Sequence, residues 1–117
     1  MRGLHLTPEL CARAYDLLHV TRPFVSWNLP DSEDIVFKID RKVDRRGAHQ
    51  FWDNKHTIWM SSKCVARLNC LVETMAHEMC HVFEAHSGMK SYGEHGKAFQ
   101  KLAEQVCRHH GFDLAMF

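Results

Sequence analysis

Between Leu68 and Val82 the apolar residues recur at helical spacing. At about 100° per residue, Leu68, Val72, Met75, Met79 and Val82 fall on one side, flanked by Leu71 and Phe83. Cys70, Glu73, Thr74, His77, His81 and Glu84 fall on the other. This pattern predicts an amphipathic helix with one core face and one face of chemically active groups. Asn69 is the expected N-cap, and Gly88 suits a left-handed stop after Ser87.

The remaining pattern divides the chain into short elements. Thr7-Pro8-Glu9 opens a first helix carrying Leu10, Ala14, Leu17 and Leu18, which should end near Val20, before Thr21-Arg22-Pro23. Phe24–Trp27 and Ile35–Ile39 read as strands separated by a turn-rich stretch. Asp40–Arg46 mixes Arg41, Lys42, Arg45 and Arg46 with Asp40 and Asp44, and reads as a solvated turn. Gly47–Phe51 and Thr57–Met60 read as two strands around the hairpin turn Trp52-Asp53-Asn54-Lys55. After a loop over Met89–Gly93, the spacing of His95, Phe99, Leu102 and Val106 predicts a last helix with His95 on its inward stripe, ending at Gly111. The order is helix, three or four strands, helix, helix. It predicts one α+β domain over residues 1–117, with a small sheet beside the amphipathic helix.

Composition narrows the class. With 45% hydrophobic and 25% charged residues, the 117-residue chain matches an ordinary globular domain able to bury one core. It has no apolar run long enough to span a membrane, and Met1–Leu6 lacks the apolar core of a secretion signal. A net charge of +1 gives no general reason to expect nucleic acid. The five cysteines are odd in number and contain no C-x-x-C pair, so neither a disulfide framework nor a cysteine zinc knuckle is expected. Reduced thiols in the cytoplasm are the simplest expectation.

The chemistry concentrates in His77-Glu78-Met79-Cys80-His81, an H-E-x-x-H pattern on the polar side of the predicted helix. Histidines at i and i+4 sit one turn apart and can offer two imidazole nitrogens to one zinc ion, with Glu78 beside it as general base. A third protein ligand would leave the fourth position to water. Glu84 lies two turns from His77 and suits an acceptor for an imidazole N–H better than a ligand. His86, His109 and His110 read as surface or helix-end residues, and His49 and His56 as exposed or cross-strand residues of the hairpin. Position 87 is serine, so the metzincin spacing is absent. His95 has the strongest case, because it faces inward after a glycine-flanked loop. Cys80 reads as a packed thiol.

Thr74-Met75-Ala76-His77-Glu78-Met79-Cys80-His81, followed by His95-Gly96-Lys97-Ala98-Phe99, resembles the T-x-x-H-E-x-x-H and H-G-x-x-F motifs of the SprT-like zinc metallopeptidase family. Gly47-Ala48 with Ile58-Trp59-Met60-Ser61 is similar to that family's preceding strand pair. The likeness runs from about Gly47 to Val106. It implies a zincin-like fold, zinc on His77, His81 and His95, and Glu78 as catalytic base. It also implies that the strand beginning at Gly47 forms the sheet edge beside the cleft, where an extended peptide would pair with Gly47 and Ala48. Many family members carry a C-terminal cysteine ribbon or longer DNA-binding regions, and the 117 residues include neither.

The expected activity is therefore zinc-dependent peptide hydrolysis: water activated by zinc attacks the scissile carbonyl, and Glu78 takes its proton. Tyr92 or a hairpin residue is the candidate oxyanion donor. The alternative is a non-catalytic, zinc-stabilised module that binds a protein or nucleic-acid partner. Expected partners are a protein or peptide substrate and no membrane, with a monomeric chain. The resemblance adds DNA as a candidate, which the near-neutral charge does little to support.

Overall fold

The computed structural model describes residues 4–89 and 94–117. The expected Tyr92 donor and most of the Met89–Gly93 loop lie outside them. Helix α1 (Pro8–His19) starts as its sequence asks, with the Thr7 hydroxyl accepting the Leu10 N–H at 3.1 Å and proline in the first turn. Its buried stripe is Cys11, Ala14, Tyr15 and Leu18. Leu17, expected in the core, is 59% exposed because it lies off that stripe. Tyr15 fills the core position, and its hydroxyl donates to the Pro30 carbonyl at 2.5 Å, so the buried polar tip is satisfied.

Phe24–Trp27 is not a strand; Phe24–Ser26 forms a short 3-10 turn. Buried Phe24 meets Trp27 edge-on at 5.1 Å between centroids, and Trp27 lies against Phe83 at 4.9 Å. Residues three apart point to opposite faces of a strand but to one side of a helical turn. Packing therefore selects the turn.

The sheet has three strands, β1 (Ile35–Asp40), β2 (Gly47–Trp52) and β3 (Lys55–Ser61), in the order β1-β3-β2. Strand β3 pairs parallel with β1 and antiparallel with β2. The β2–β3 hairpin turns through Asp53 and Asn54 at φ +52° and +60°, the left-handed pair of a type I′ turn. Because β3 lies between them, the chain leaving β1 crosses two strand spacings, about 9–10 Å, before starting β2. The charged run Arg41–Arg46 makes that crossing. It is pinned rather than merely solvated: the Ser61 hydroxyl donates to the Lys42 carbonyl, and Arg45 pairs with Asp40 at 2.6 Å.

On β3, His56, Ile58 and Met60 are buried in alternation, and the register puts Phe51, His49 and Gly47 of β2 opposite them. This face meets α1 and α2 (Leu68–His86). The other face shows Val36 and Trp52 at 40% and 75% exposure. Leu71, Met75, Ala76, Met79 and Val82 of α2 have no exposed surface; a side chain of Leu or Met size contributes about 1.5–3 kcal/mol on full burial. Leu68 stands 58% exposed at the helix start, so the core stripe begins a turn later than its spacing suggested. Arg67 occupies the N-cap without a side-chain cap bond, and Asn69 lies inside the helix. The other end closes on Gly88 at φ +78°, with Gly88 N–H on the Ala85 carbonyl and Met89 N–H on the Glu84 carbonyl, a Schellman arrangement.

Helix α3 (Lys97–His110) buries Phe99, Leu102, Ala103 and Val106 and stops at Gly111, φ +76°. Its N-cap is Gly96, so His95 precedes the helix instead of occupying its first turn. Among the described residues no helix is long and apolar enough to cross a membrane.

Candidate metal centre

Helix α2 is covered by α1, the sheet and α3, so its polar side faces other elements of the fold. Thr74, Glu78, His81 and Glu84 are all buried. A buried polar side chain requires a partner, and those partners define the site.

His77 and His81 stand one helical turn apart, and the segment before α3 delivers His95 to them. Ligand atoms of these three residues all lie within 4.8 Å of one another. His81 Nε2 and His95 Nε2 are 3.1 Å apart. Two nitrogens bound at about 2.0–2.1 Å to one tetrahedral ion sit about 3.3 Å apart, so this spacing fits a metal. His95 is held by its ring, which lies 4.6 Å from Phe99 and 5.0 Å from His81. The sequence placed His95 on the inward stripe of the helix; it stands instead one residue before the N-cap and is exposed, yet it reaches the same centre.

The outer nitrogens are engaged elsewhere. His81 Nδ1 lies 3.0 Å from Glu84 Oε1, the acceptor role expected of Glu84. His77 Nδ1 donates to the main-chain carbonyl of Phe117 at 2.6 Å. Both α2 histidines therefore turn Nε2 inward. Burial lowers His77 to about 4 and His81 to about 3, the latter with help from the neighbouring His77, His95 and His49. At neutral pH both rings are uncharged, the form that ligates metal.

Glu78 is 4% exposed beside the histidines. Burial pushes its carboxyl up to about 8, and the Arg45 guanidinium pulls in the opposite direction. Together with Gly47, Ala48, His49, His77, His81 and His95 it lines a cavity of about 240 Å³. A smaller space of about 100 Å³ is bounded by Arg46, Gly47, Glu73, Thr74, His77, Glu78 and Phe117. The arrangement combines three convergent imidazoles, a buried carboxyl and an accessible concavity, a donor set able to hold one metal ion.

The other histidines lie outside the three-ligand group, although His49 lines the same cavity. His49 and His56 form the cross-strand pair, Nε2 to Nδ1 at 2.9 Å. They are not exposed hairpin residues: His56 is buried, and His49 stacks nearly parallel to His81 at 6.4 Å. The alternation of β2 carries the signal for this, since Gly47 and His49 share one face. Burial lowers both, His49 to about 3 and His56 to about 4. His86 is exposed at the end of α2, His109 is exposed on α3, and His110 Nε2 meets the Thr21 hydroxyl at 3.0 Å. Cys80 has no exposed surface and is a packed thiol as expected.

Strand β2 lies at the sheet edge along the cleft. Its pairing alters one expectation. Ser61 N–H donates to the Arg46 carbonyl, so the antiparallel alternation turns Ala48 towards its partner Trp59 and Gly47 outward. Ala48 is a ladder residue, and Gly47 is the position that offers main-chain groups to the open side. The missing side chain of Gly47 serves α2: a Cβ there would lie 3.0 Å from the Trp59 carbonyl oxygen and 3.1 Å from the Thr74 methyl. The Phe117 carbonyl was not foreseen at all, because a main-chain acceptor forty residues beyond His77 leaves no trace in residue type.

In comparison with known proteins, residues 14–116 match the model of the SprT-like family. No curated protein matches the chain.

Proposed function

The chain belongs to the SprT-like family, and from that premise we propose that it is a zinc-dependent peptidase with Glu78 as its general base. The observation that carries this reading is the convergence of His77, His81 and His95 beside buried Glu78 in an accessible cleft. His77 and His81 would hold the zinc through Nε2, with His95 as the third ligand. Zinc bound there supplies Lewis acidity, polarising a carbonyl and acidifying water.

Glu78 supplies the proton handling. Its carboxylate accepts a proton from the attacking water and then delivers it to the leaving amine nitrogen, so the residue returns to its starting state. A base must be ionised, and burial opposes that by favouring the protonated form. Arg45 and a nearby divalent cation both act in the other direction. The substrate backbone would lie along β2, meeting the outward groups of Gly47 as an added strand. Main-chain pairing of that kind is tolerant of sequence, which fits a protein or peptide substrate. Free thiols at all five cysteines support a reducing, cytoplasmic setting.

The test is metal analysis together with peptide cleavage by wild type and Glu78→Gln. One zinc per chain with cleavage lost only in the variant is the expected result. Zinc-loaded wild type that cleaves neither an unstructured protein nor itself, with or without single-stranded DNA, would leave the non-catalytic binding module as the correct reading.

A further inference from the structure

The two histidines of α2 are oriented by different means. For His81 the acceptor is Glu84, one turn along the same helix. For His77 the acceptor is the carbonyl of Phe117, on the segment after α3. A main-chain oxygen, whether of a peptide carbonyl or of a terminal carboxylate, only accepts, so this bond places the His77 proton on Nδ1 and leaves the Nε2 lone pair pointing inward. An unconstrained neutral imidazole carries its proton on either nitrogen, and a proton on Nε2 blocks the metal.

The segment that presents this carbonyl is built to hold still. Asp113 Oδ1 accepts the Ala115 N–H at 3.0 Å, and the Asp113 carbonyl accepts the N–H groups of Met116 and Phe117 at 3.0 Å each. Arg46, at the entrance to β2, donates to the Met116 carbonyl at 3.0 Å. The Phe117 ring lies 5.3 Å from His77, 6.0 Å from Phe112 and 6.4 Å from Phe99. Hydrogen bonds from within the turn, a clamp from the sheet and a ring contact from α3 all fix one carbonyl oxygen.

We propose that the Asp113–Phe117 turn is a positioning element of the metal centre, its Phe117 carbonyl holding His77 in the tautomer and orientation that put Nε2 on the metal. The sheet, through Arg46, and the C-terminal segment thereby set the affinity of a site whose ligands lie on neither. The inference rests on the metal-site reading and not on peptide cleavage.

The test uses the full chain. Long-range ¹H–¹⁵N correlation spectra of metal-free wild type should show His77 as the Nδ1–H tautomer. An Arg46→Ala/Asp113→Ala double variant removes both polar clamps without changing net charge, and neither residue is buried. Its zinc affinity, measured by chelator competition, should fall about 10- to 100-fold, the usual cost of losing a ligand's orienting partner. His77 should then populate the Nε2–H form while His81 stays on Nδ1–H, and Arg46→Lys/Asp113→Asn should restore both readouts. A general loss of structure would move both histidines together. His77 found as Nε2–H in wild type overturns the proposal without any variant. So does an unchanged zinc affinity in the double variant once the His77–Phe117 contact is shown to be gone. Neither readout involves hydrolysis, so the proposal stands or falls separately from the peptidase assignment.

Discussion

Gly47 and Glu78 are in direct steric register: a Cβ added to Gly47 would stand 3.2 Å from Glu78 Oε2. It would also meet the Trp59 carbonyl oxygen, which belongs to the β3 backbone and cannot swing aside. The glycine is therefore a spacing residue that lets the carboxyl-bearing face of α2 close on the sheet.

Gly47→Ala should destabilise the protein by about 1–3 kcal/mol, the usual range for forcing atoms into a packed contact. It should also reduce peptide turnover, because Thr74 and Glu78 have to shift while the histidines do not. Urea denaturation, zinc content and a cleavage assay together check this. Wild-type stability in the variant would show that the contact relaxes freely.

His95→Ala should weaken zinc binding far more than His86→Ala or His109→Ala, since only His95 shares the centre with His77 and His81. Wild type should carry about one zinc per chain by elemental analysis, the count for a single three-ligand site. Equal losses in all three variants would remove the ligand assignment.

Glu78→Gln should keep zinc and the fold while lowering peptide hydrolysis by at least about 100-fold, the lower range for losing a general base. The amide preserves shape but has no carboxylate to accept the proton. Turnover within a few-fold of wild type would exclude Glu78 as the base.

Glu78 also predicts how the metal-free protein responds to pH. Its carboxyl sits near 8 when folded, against an ordinary value of 4.5. Between those values the folded state binds the proton more tightly than the unfolded chain does, so stability falls as pH rises through the window. The buried histidines act oppositely: with His77 and His81 lowered to about 4 and 3 from 6.5, the unfolded chain takes up protons first as pH falls below about 6.5. Metal-free Glu78→Gln should therefore melt at a higher temperature than wild type at pH 8, by about 4 °C or more. The gap should close towards pH 4.5. Parallel melting curves across that range would disprove the shifted carboxyl.

Much of this architecture is legible in the residues themselves. Short-range rules reach the α2 helix, its His77/Glu78/His81 face, the Gly88 and Gly111 stops and the Asp53-Asn54 hairpin, because each depends on neighbours within a turn or two. Glu84 as the partner of His81 belongs to the same class, three residues away on one helix. The choice of His95 among ten histidines needed both its spacing and the H-G-x-x-F resemblance.

What only the tertiary structure decided has a common physical cause: contacts made between elements far apart in sequence. Phe24–Trp27 is extended by composition but coiled by the need to bring two aromatic rings to one side. Leu17 and Leu68 are as apolar as their neighbours, yet among the described residues nothing packs over them sufficiently to bury them. Insertion of β3 between β1 and β2 made a crossing segment of the charged run, and with it placed Arg46 against Met116. The antiparallel register, not the residue type, turned Ala48 inward and Gly47 out. The Phe117 carbonyl is the extreme case. Every residue has a main-chain oxygen, and only the fold chooses which of them meets His77.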